Sequence, residues 1–80
     1  MAQFTFEQEE LILMLNQSLV ECNQRAEMHR KAPTNESYRL SEMASVRFQA
    51  LAEAVQTVYP MPTAKAMLDK ASAMYEGQVR

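Results

Sequence analysis

Apolar residues recur along this chain at steps of three and four, the spacing that places side chains on one face of an α-helix. Prolines at positions 33, 60 and 62 divide the pattern into three segments. The rows are Leu11, Ile12, Leu15, Leu19, Cys22 and Ala26 in the first segment, Leu40, Ala44, Phe48, Leu51, Val55 and Val58 in the second, and Ala64, Met67, Leu68, Ala71, Met74 and Tyr75 in the third. The pattern predicts helices over about residues 6–31, 35–59 and 64–76.

The lengths of these segments and their connections predict how the helices pack. Two long helices joined by a short polar loop pack antiparallel as a hairpin, and a shorter third helix can fold back over one end of it. We therefore expect an all-α fold, a small helical bundle in which residues 1–80 form a single helical domain.

The predicted helix ends carry capping residues. Thr5 is followed three residues later by a glutamine, the pattern of a capping box, and glutamates fill the first turn, where the helix dipole favours negative charge. Thr34 or Asn35 is predicted to cap the second helix, and Thr63 the third. Gly77 is predicted to end the third helix, because glycine readily adopts the left-handed conformation that often follows a last helical turn.

The first helix carries a second apolar row in addition to the one that forms its core face. Phe6, Leu13 and Val20 recur every seven residues and lie on nearly the opposite side of the helix from Leu15. One explanation is that the third helix covers this row within the monomer. The other is that the row binds another chain, either a second copy to give a homodimer or a different protein. These three residues are therefore candidate interface residues.

Two further residues are candidates for contact with a partner. Arg47 falls at the edge of the apolar row of the second helix, where an arginine either extends to water and pairs with an acid or anchors an interface. Met61 lies between two prolines in a predicted extended turn. It is expected either to pack under the third helix or to contact a partner.

Composition narrows the classes of fold and function. Hydrophobic residues make up 48% of the 80 residues, enough for a core, whereas a single glycine is too few for the turns of an all-β domain or for a glycine-rich phosphate loop. A net charge of −2 argues against nucleic acid as a partner. The basic residues between Arg25 and Arg47 are the feature that keeps nucleic-acid binding as an alternative, although glutamates interrupt them.

The residues that could support catalysis or metal binding are few and badly spaced. Cys22 and His29 lie on the same side of the first helix but two turns apart, about 10.5 Å, too far for a nucleophile and its base to share a hydrogen bond. A metal site would require further ligands, and none is suitably spaced. We therefore predict that the protein is not an enzyme and has no catalytic residue, metal site or cofactor.

The chain carries no pattern typical of export or membrane insertion. Its single cysteine cannot form an internal disulfide, and its start is acidic rather than basic. The longest strongly apolar run, Leu11 to Leu15, is too short to cross a bilayer. These features predict a cytoplasmic protein without membrane contact.

A small helical domain with surplus apolar surface and no reactive site is typical of a protein-binding module. We predict a module that occupies or masks a surface of a partner protein, as phage-encoded inhibitors of host machinery do. With Tyr38 early in the second helix and an Ala/Leu-rich row after it, the hairpin also resembles the small co-chaperones that hold needle subunits of type III secretion systems. This resemblance covers about half of the chain, and the third helix departs from it. It implies, as an alternative, a co-chaperone that holds a secretion subunit.

Overall fold

The computed structural model describes residues 3–78, and in this range the chain forms three α-helices and no strand. α1 spans Phe6–Lys31, α2 spans Asn35–Val58 and α3 spans Met61–Gln78. α2 runs back along α1, and α3 then runs parallel to α1, so α1 packs against both other helices while α2 and α3 touch little. The molecule is flat, measuring 42 × 28 × 17 Å. The predicted all-α hairpin with a shorter third helix is confirmed.

Capping boxes fix the starts of α1 and α2. Thr5 Oγ1 accepts a hydrogen bond from the backbone N–H of Gln8 at 3.1 Å, and Gln8 Oε1 accepts one from the N–H of Thr5 at 2.9 Å. Thr34, rather than Asn35, caps α2, and it makes the same reciprocal pair of bonds with Ser37 at 3.0 and 2.9 Å. These bonds satisfy backbone donors that have no acceptor inside the helix.

α3 begins three residues earlier than predicted, and Thr63 does not cap it. The N–H of Ala64 donates to the carbonyl of Pro60 at 2.9 Å, which makes Met61 the first helical residue. The next residue, Pro62, is tolerated because its fixed φ is helical and because the first N–H groups of a helix lack intrahelical acceptors. The predicted extended turn around Met61 is therefore wrong.

The ends of α2 and α3 also differ slightly from the prediction. α2 ends at Val58, because the proline that follows Tyr59 holds that residue extended, at φ −111° and ψ 152°. Gly77 lies inside α3 with a negative φ, and the helix continues to Gln78. A β-carbon added at Gly77 would meet no atom within 4 Å. Neither conformation nor space therefore requires a glycine there.

The buried core lies at the end of the molecule where all three helices meet. It consists of Ile12 and Leu15 of α1, Val55 of α2, and Ala64, Met67 and Ala71 of α3. The alanines let α3 approach closely, and each fully buried leucine-sized side chain contributes about 1.5–3 kcal/mol. Burial at this end therefore holds α3 on the hairpin.

Two members of the predicted apolar rows are not buried. Ala26 and Val58 are both exposed, so the prediction that they pack inside is wrong. Ala26 lies in the last turns of α1, beyond the three-helix core, and Val58 is the last residue of α2. All six residues of the predicted row on α3 are buried or half-buried, as expected.

Beyond the core, polar contacts join α1 to α2. Cys22 Sγ lies 3.7 Å from Ser45 Oγ, and His29 Nδ1 lies 2.7 Å from Ser37 Oγ near the loop. The ring of His29 also packs against that of Tyr38, with centroids 5.7 Å apart. Polar and aromatic contacts therefore hold α1 and α2 together beyond the apolar core.

Candidate protein-binding surfaces

One side of α1 exposes part of the row that recurs every seven residues. Phe6 is 80% exposed and Leu13 is 49% exposed, whereas Val20 is half-buried. We call these three residues the α1 edge. The sequence left open whether the third helix or another chain covers this row. Within the monomer, Val20 lies beside Tyr75 and Gln78 of α3, whereas Phe6 and Leu13 are largely exposed.

An open groove of about 630 Å³ lies between α1 and the end of α3, and we call it the α1–α3 groove. Its lining residues are Val20, Asn23, Gln24, Glu27, Met28, Tyr75 and Gln78. Three of these are apolar or aromatic and three are neutral amides. The carboxylate of Glu27 is paired with Arg30 and with Lys31, whose Nζ lies 3.8 Å away. The groove therefore suits an apolar or neutral segment of another molecule.

Long-range contacts set the register of α3 on α1 and so position this groove. Asn16, only 3% exposed, donates from Nδ2 to the carbonyl of Ala71 at 3.3 Å. Lys70 Nζ donates to the Glu9 carboxylate at 3.0 Å and lies 5.0 Å from the centre of the Phe4 ring. In this register α3 ends alongside the second half of α1, and the last turns of α1 extend past it.

A second exposed surface lies on α2. An open depression of about 380 Å³ is lined by Arg39, Glu42, Met43, Val46 and Arg47, which we call the α2 outer face. Met43 is 49% exposed and Val46 is 58% exposed. This surface therefore combines an adaptable apolar centre with charges of both signs.

Arg47 connects the α2 outer face to α1. Its guanidinium pairs with the carboxylate of Glu21, and its side chain also lines a neighbouring depression together with Met14 and Leu51. The arginine is exposed and ion-paired, which is one of the two outcomes expected from the sequence. Its role as an anchor for a partner stays a prediction.

The five candidate interface residues do not form one site. Phe6, Leu13 and Val20 follow one side of α1, while Arg47 lies on the α2 outer face. Met61 is 69% exposed at the start of α3, so it does not pack under that helix. Any contact with partners is therefore divided among at least two surfaces.

Two features of the structure were not predicted from the sequence. Asn16 is buried. It lies one turn after the buried Ile12, so the helical spacing places it on the core face, but asparagine in a helix is usually exposed. Met43 and Val46 form a row with Arg39 and Ala50 at steps of four, three and four. That spacing is the signal that could have identified the α2 outer face.

Cys22 and His29 are not brought together. Each contacts a different serine of α2, at 3.7 Å for the cysteine and 2.7 Å for the histidine. In the part of the chain that the structure describes, no group of three or more His, Cys, Asp or Glu side chains could hold a metal ion. These contacts connect the two helices of the hairpin.

Several basic residues of the hairpin are paired with acids. Arg30 and Lys31 both pair with Glu27, and Arg47 pairs with Glu21. Such pairs reduce the positive charge available to phosphate groups, on which nucleic-acid affinity depends. Nucleic-acid binding therefore gains no support from this geometry and stays an untested alternative.

No family model, no curated protein and no solved structure matches this chain. Among residues 3–78, no helix is both long enough and apolar enough to span a membrane.

Proposed function

We propose that this protein acts by binding another protein along the α1 edge, without chemistry, and so occupies or masks a surface of that partner. The observation that carries the proposal is the exposure of Phe6 and Leu13, two large apolar side chains on one side of α1 that α3 leaves uncovered. Contact with a partner would remove this apolar surface from water, which is favourable.

The partner segment in this proposal is an amphipathic helix that lies along α1. From Phe6 to Val20 the α1 edge extends about 21 Å, at 1.5 Å per residue. A row that recurs every seven residues is matched by a partner helix with its own apolar residues at steps of three and four. The α1–α3 groove continues the row, so the last apolar side chains of the partner would contact Met28 and Tyr75.

The size of the row limits the strength of the contact. Burying Phe6 and Leu13 fully would contribute about 1.5–3 kcal/mol each, and half of the Leu13 side chain is already shielded. Association also has an entropic cost of several kcal/mol, about 4 or more. The α1 edge alone therefore does not offset this cost, and binding requires further apolar contact in the α1–α3 groove.

Glutamate substitutions in the row test the proposal, because they place a charge in the contact without touching the core. Tagged wild-type protein, Phe6→Glu and Leu13→Glu would be used to capture partners from the cells that naturally produce the protein. Val58→Glu is the matched control, since Val58 is 71% exposed and lies outside the α1 edge. We expect wild type and Val58→Glu to capture the same protein and both edge variants to bind it at least about tenfold more weakly.

Circular dichroism spectra and urea unfolding of all four proteins provide the folding control; we expect equal helicity and unfolding free energies within about 1 kcal/mol of wild type. Equal capture by Leu13→Glu and wild type, with the fold intact, would contradict the proposal. Loss of capture by Val58→Glu as well would also count against it, because binding would then depend on general surface hydrophobicity.

A further inference from the structure

The polar positions between the members of the α1 edge are acidic at one end and neutral at the other. Glu10 lies four residues after Phe6 and three before Leu13, on the same side of α1, and it is exposed. Gln17 has the same place between Leu13 and Val20. The more exposed end of the α1 edge therefore has a negative charge within its apolar row.

Two of the four glutamates in this part of α1 are paired with bases of the other helices. Over positions 6–24 the chain has these four glutamates and no lysine, arginine or histidine. Lys70 of α3 pairs with Glu9, with Nζ and Oε1 3.0 Å apart, and Arg47 of α2 pairs with Glu21. These two carboxylates are therefore largely neutralised within the monomer.

The other two glutamates are Glu7 and Glu10, and both are exposed. In the part of the chain that the structure describes, the ion pairs include neither of them. Two carboxylates close to Phe6 and Leu13 can therefore form ion pairs with another molecule.

This charge distinguishes among the molecules that could cover the α1 edge. A second copy offers the same glutamates and no basic residue over positions 6–24, so those positions form no ion pair with each other. The phosphates of nucleic acid or of an anionic lipid surface would be repelled. A protein segment with lysine or arginine beside its apolar residues is attracted.

Given the proposed binding at the α1 edge, on which this inference rests, we propose that the bound segment is a cationic amphipathic helix. Its lysines or arginines lie beside the apolar residues that contact Phe6 and Leu13. The end that lies in the α1–α3 groove carries neutral polar residues, because Glu27 in that groove is already paired with Arg30.

The charges select the partner more than they strengthen the contact. One exposed ion pair strengthens a contact by no more than about fivefold. Replacing the lysines of the partner by glutamates would exchange attraction for repulsion at two carboxylates, so we expect at least about a tenfold difference in affinity. Apolar contact provides the rest of the binding.

Two synthetic peptides test the charge while the apolar contact stays constant. Each has about 24 residues, about 36 Å as a helix, enough to span the α1 edge and the α1–α3 groove. In both peptides leucines recur at steps of three and four on an alanine background, with glutamines beside them in one half. Beside the leucines of the other half, one peptide carries lysines and the second carries glutamates.

Fluorescence anisotropy of each labelled peptide, titrated with the full chain up to about 1 mM, measures the two dissociation constants. In about 0.1 M NaCl the lysine peptide should bind at least about tenfold more tightly than the glutamate peptide. In about 1 M NaCl the Debye length falls from about 10 to about 3 Å, and the difference should fall below about threefold.

Glu10→Lys and its matched control Glu53→Lys locate the charge that is recognised. Both replace an exposed glutamate and change the net charge of the protein equally, but Glu53 lies in α2, outside the α1 edge. Glu10→Lys should bind the lysine peptide about threefold to tenfold more weakly and the glutamate peptide more tightly. Glu53→Lys should change neither affinity by more than about twofold. Unchanged helicity confirms that both variants fold.

Three results would overturn the proposal: no binding of the lysine peptide, equal affinities for the two peptides, or equal effects of Glu10→Lys and Glu53→Lys. Equal affinities that Leu13→Glu still abolishes would keep the α1 edge as a binding surface and contradict only its preference for a cation. Equal capture of the cellular partner by Leu13→Glu and wild type would instead contradict the proposed function itself.

Discussion

Asn16 provides a sensitive test of how α3 is held on α1. The side chain is almost fully buried, and its Nδ2 donates to the carbonyl oxygen of Ala71 at 3.3 Å. Asn16→Asp keeps the shape of the side chain but replaces the donor with an acceptor. An ionised aspartate would place two oxygen atoms opposite each other, without a proton between them, in a site shielded from water.

The size of the effect follows from the pKa of the introduced carboxyl group. Burial disfavours the charged form and would raise that pKa by about two to three above its usual value near 3.9. Because each pKa unit corresponds to about 1.4 kcal/mol, Asn16→Asp should lose about 3–4 kcal/mol of unfolding free energy at neutral pH. For an 80-residue chain this is a large share of a total of about 4–12 kcal/mol.

Two companion variants separate the charge from the lost hydrogen bond. Asn16→Leu loses a bond that contributes about 1 kcal/mol, but it buries apolar surface and leaves the Ala71 carbonyl able to accept its bond within α3. Its stability should stay within about 1 kcal/mol of wild type. Asn16→Ala also leaves a cavity and should lose about 1–3 kcal/mol.

Urea unfolding followed by circular dichroism at pH 7 and pH 4 measures these differences. The folded-state pKa of the aspartate would lie above the unfolded value, so the deficit is fully present above the folded pKa. It shrinks as the pH falls towards the unfolded pKa near 3.9. If Asn16→Asp were as stable as Asn16→Leu at pH 7, or if its deficit did not change with pH, Asn16 would not be buried against Ala71.

Four further substitutions test separate parts of the fold through their urea midpoints. Gly77→Ala should raise the unfolding free energy by about 0.5–1 kcal/mol, because Gly77 is helical and a β-carbon there meets no neighbour; a loss would mean that the helix ends before this residue. Thr34→Ala should lower it by about 1 kcal/mol, since it removes the α2 cap; no change would argue against the capping box. Leu15→Ala should lower it by about 3–4 kcal/mol, whereas Val58→Ala should change it by less than about 0.5 kcal/mol. Similar losses of unfolding free energy from Leu15→Ala and Val58→Ala would contradict the position of the core described above.

The helices could be predicted from the sequence because their signals are local. Apolar spacing, the threonines at positions 5 and 34, and the prolines act within one or two turns. The start of α3 was misplaced because Pro62 fits the first turn of a helix as well as an extended turn. Gly77 was misread because glycine tolerates a helical conformation as well as the left-handed one.

The candidate surface could be predicted only in part from the sequence, because its exposure depends on contacts between residues far apart in the chain. Periodicity identified Phe6, Leu13 and Val20 as one row of α1. Which of them α3 covers depends on the register of α3, and a hydrogen bond between Asn16 and Ala71, 55 residues apart, helps to set it. Local patterns do not determine such a register, so the uncovered part of the row became apparent only in the structure.

The α1 edge is a surface and not part of the core, and a matched pair of adjacent residues tests this most directly. Leu13 is about half-exposed, while Ile12 beside it is only 1% exposed. In urea unfolding, Leu13→Glu should stay within about 1 kcal/mol of wild type, and Ile12→Glu should lose more than about 3 kcal/mol or fail to fold. If Leu13→Glu unfolded the chain as Ile12→Glu does, the row would be covered within the monomer, and no α1 edge would be available to a partner.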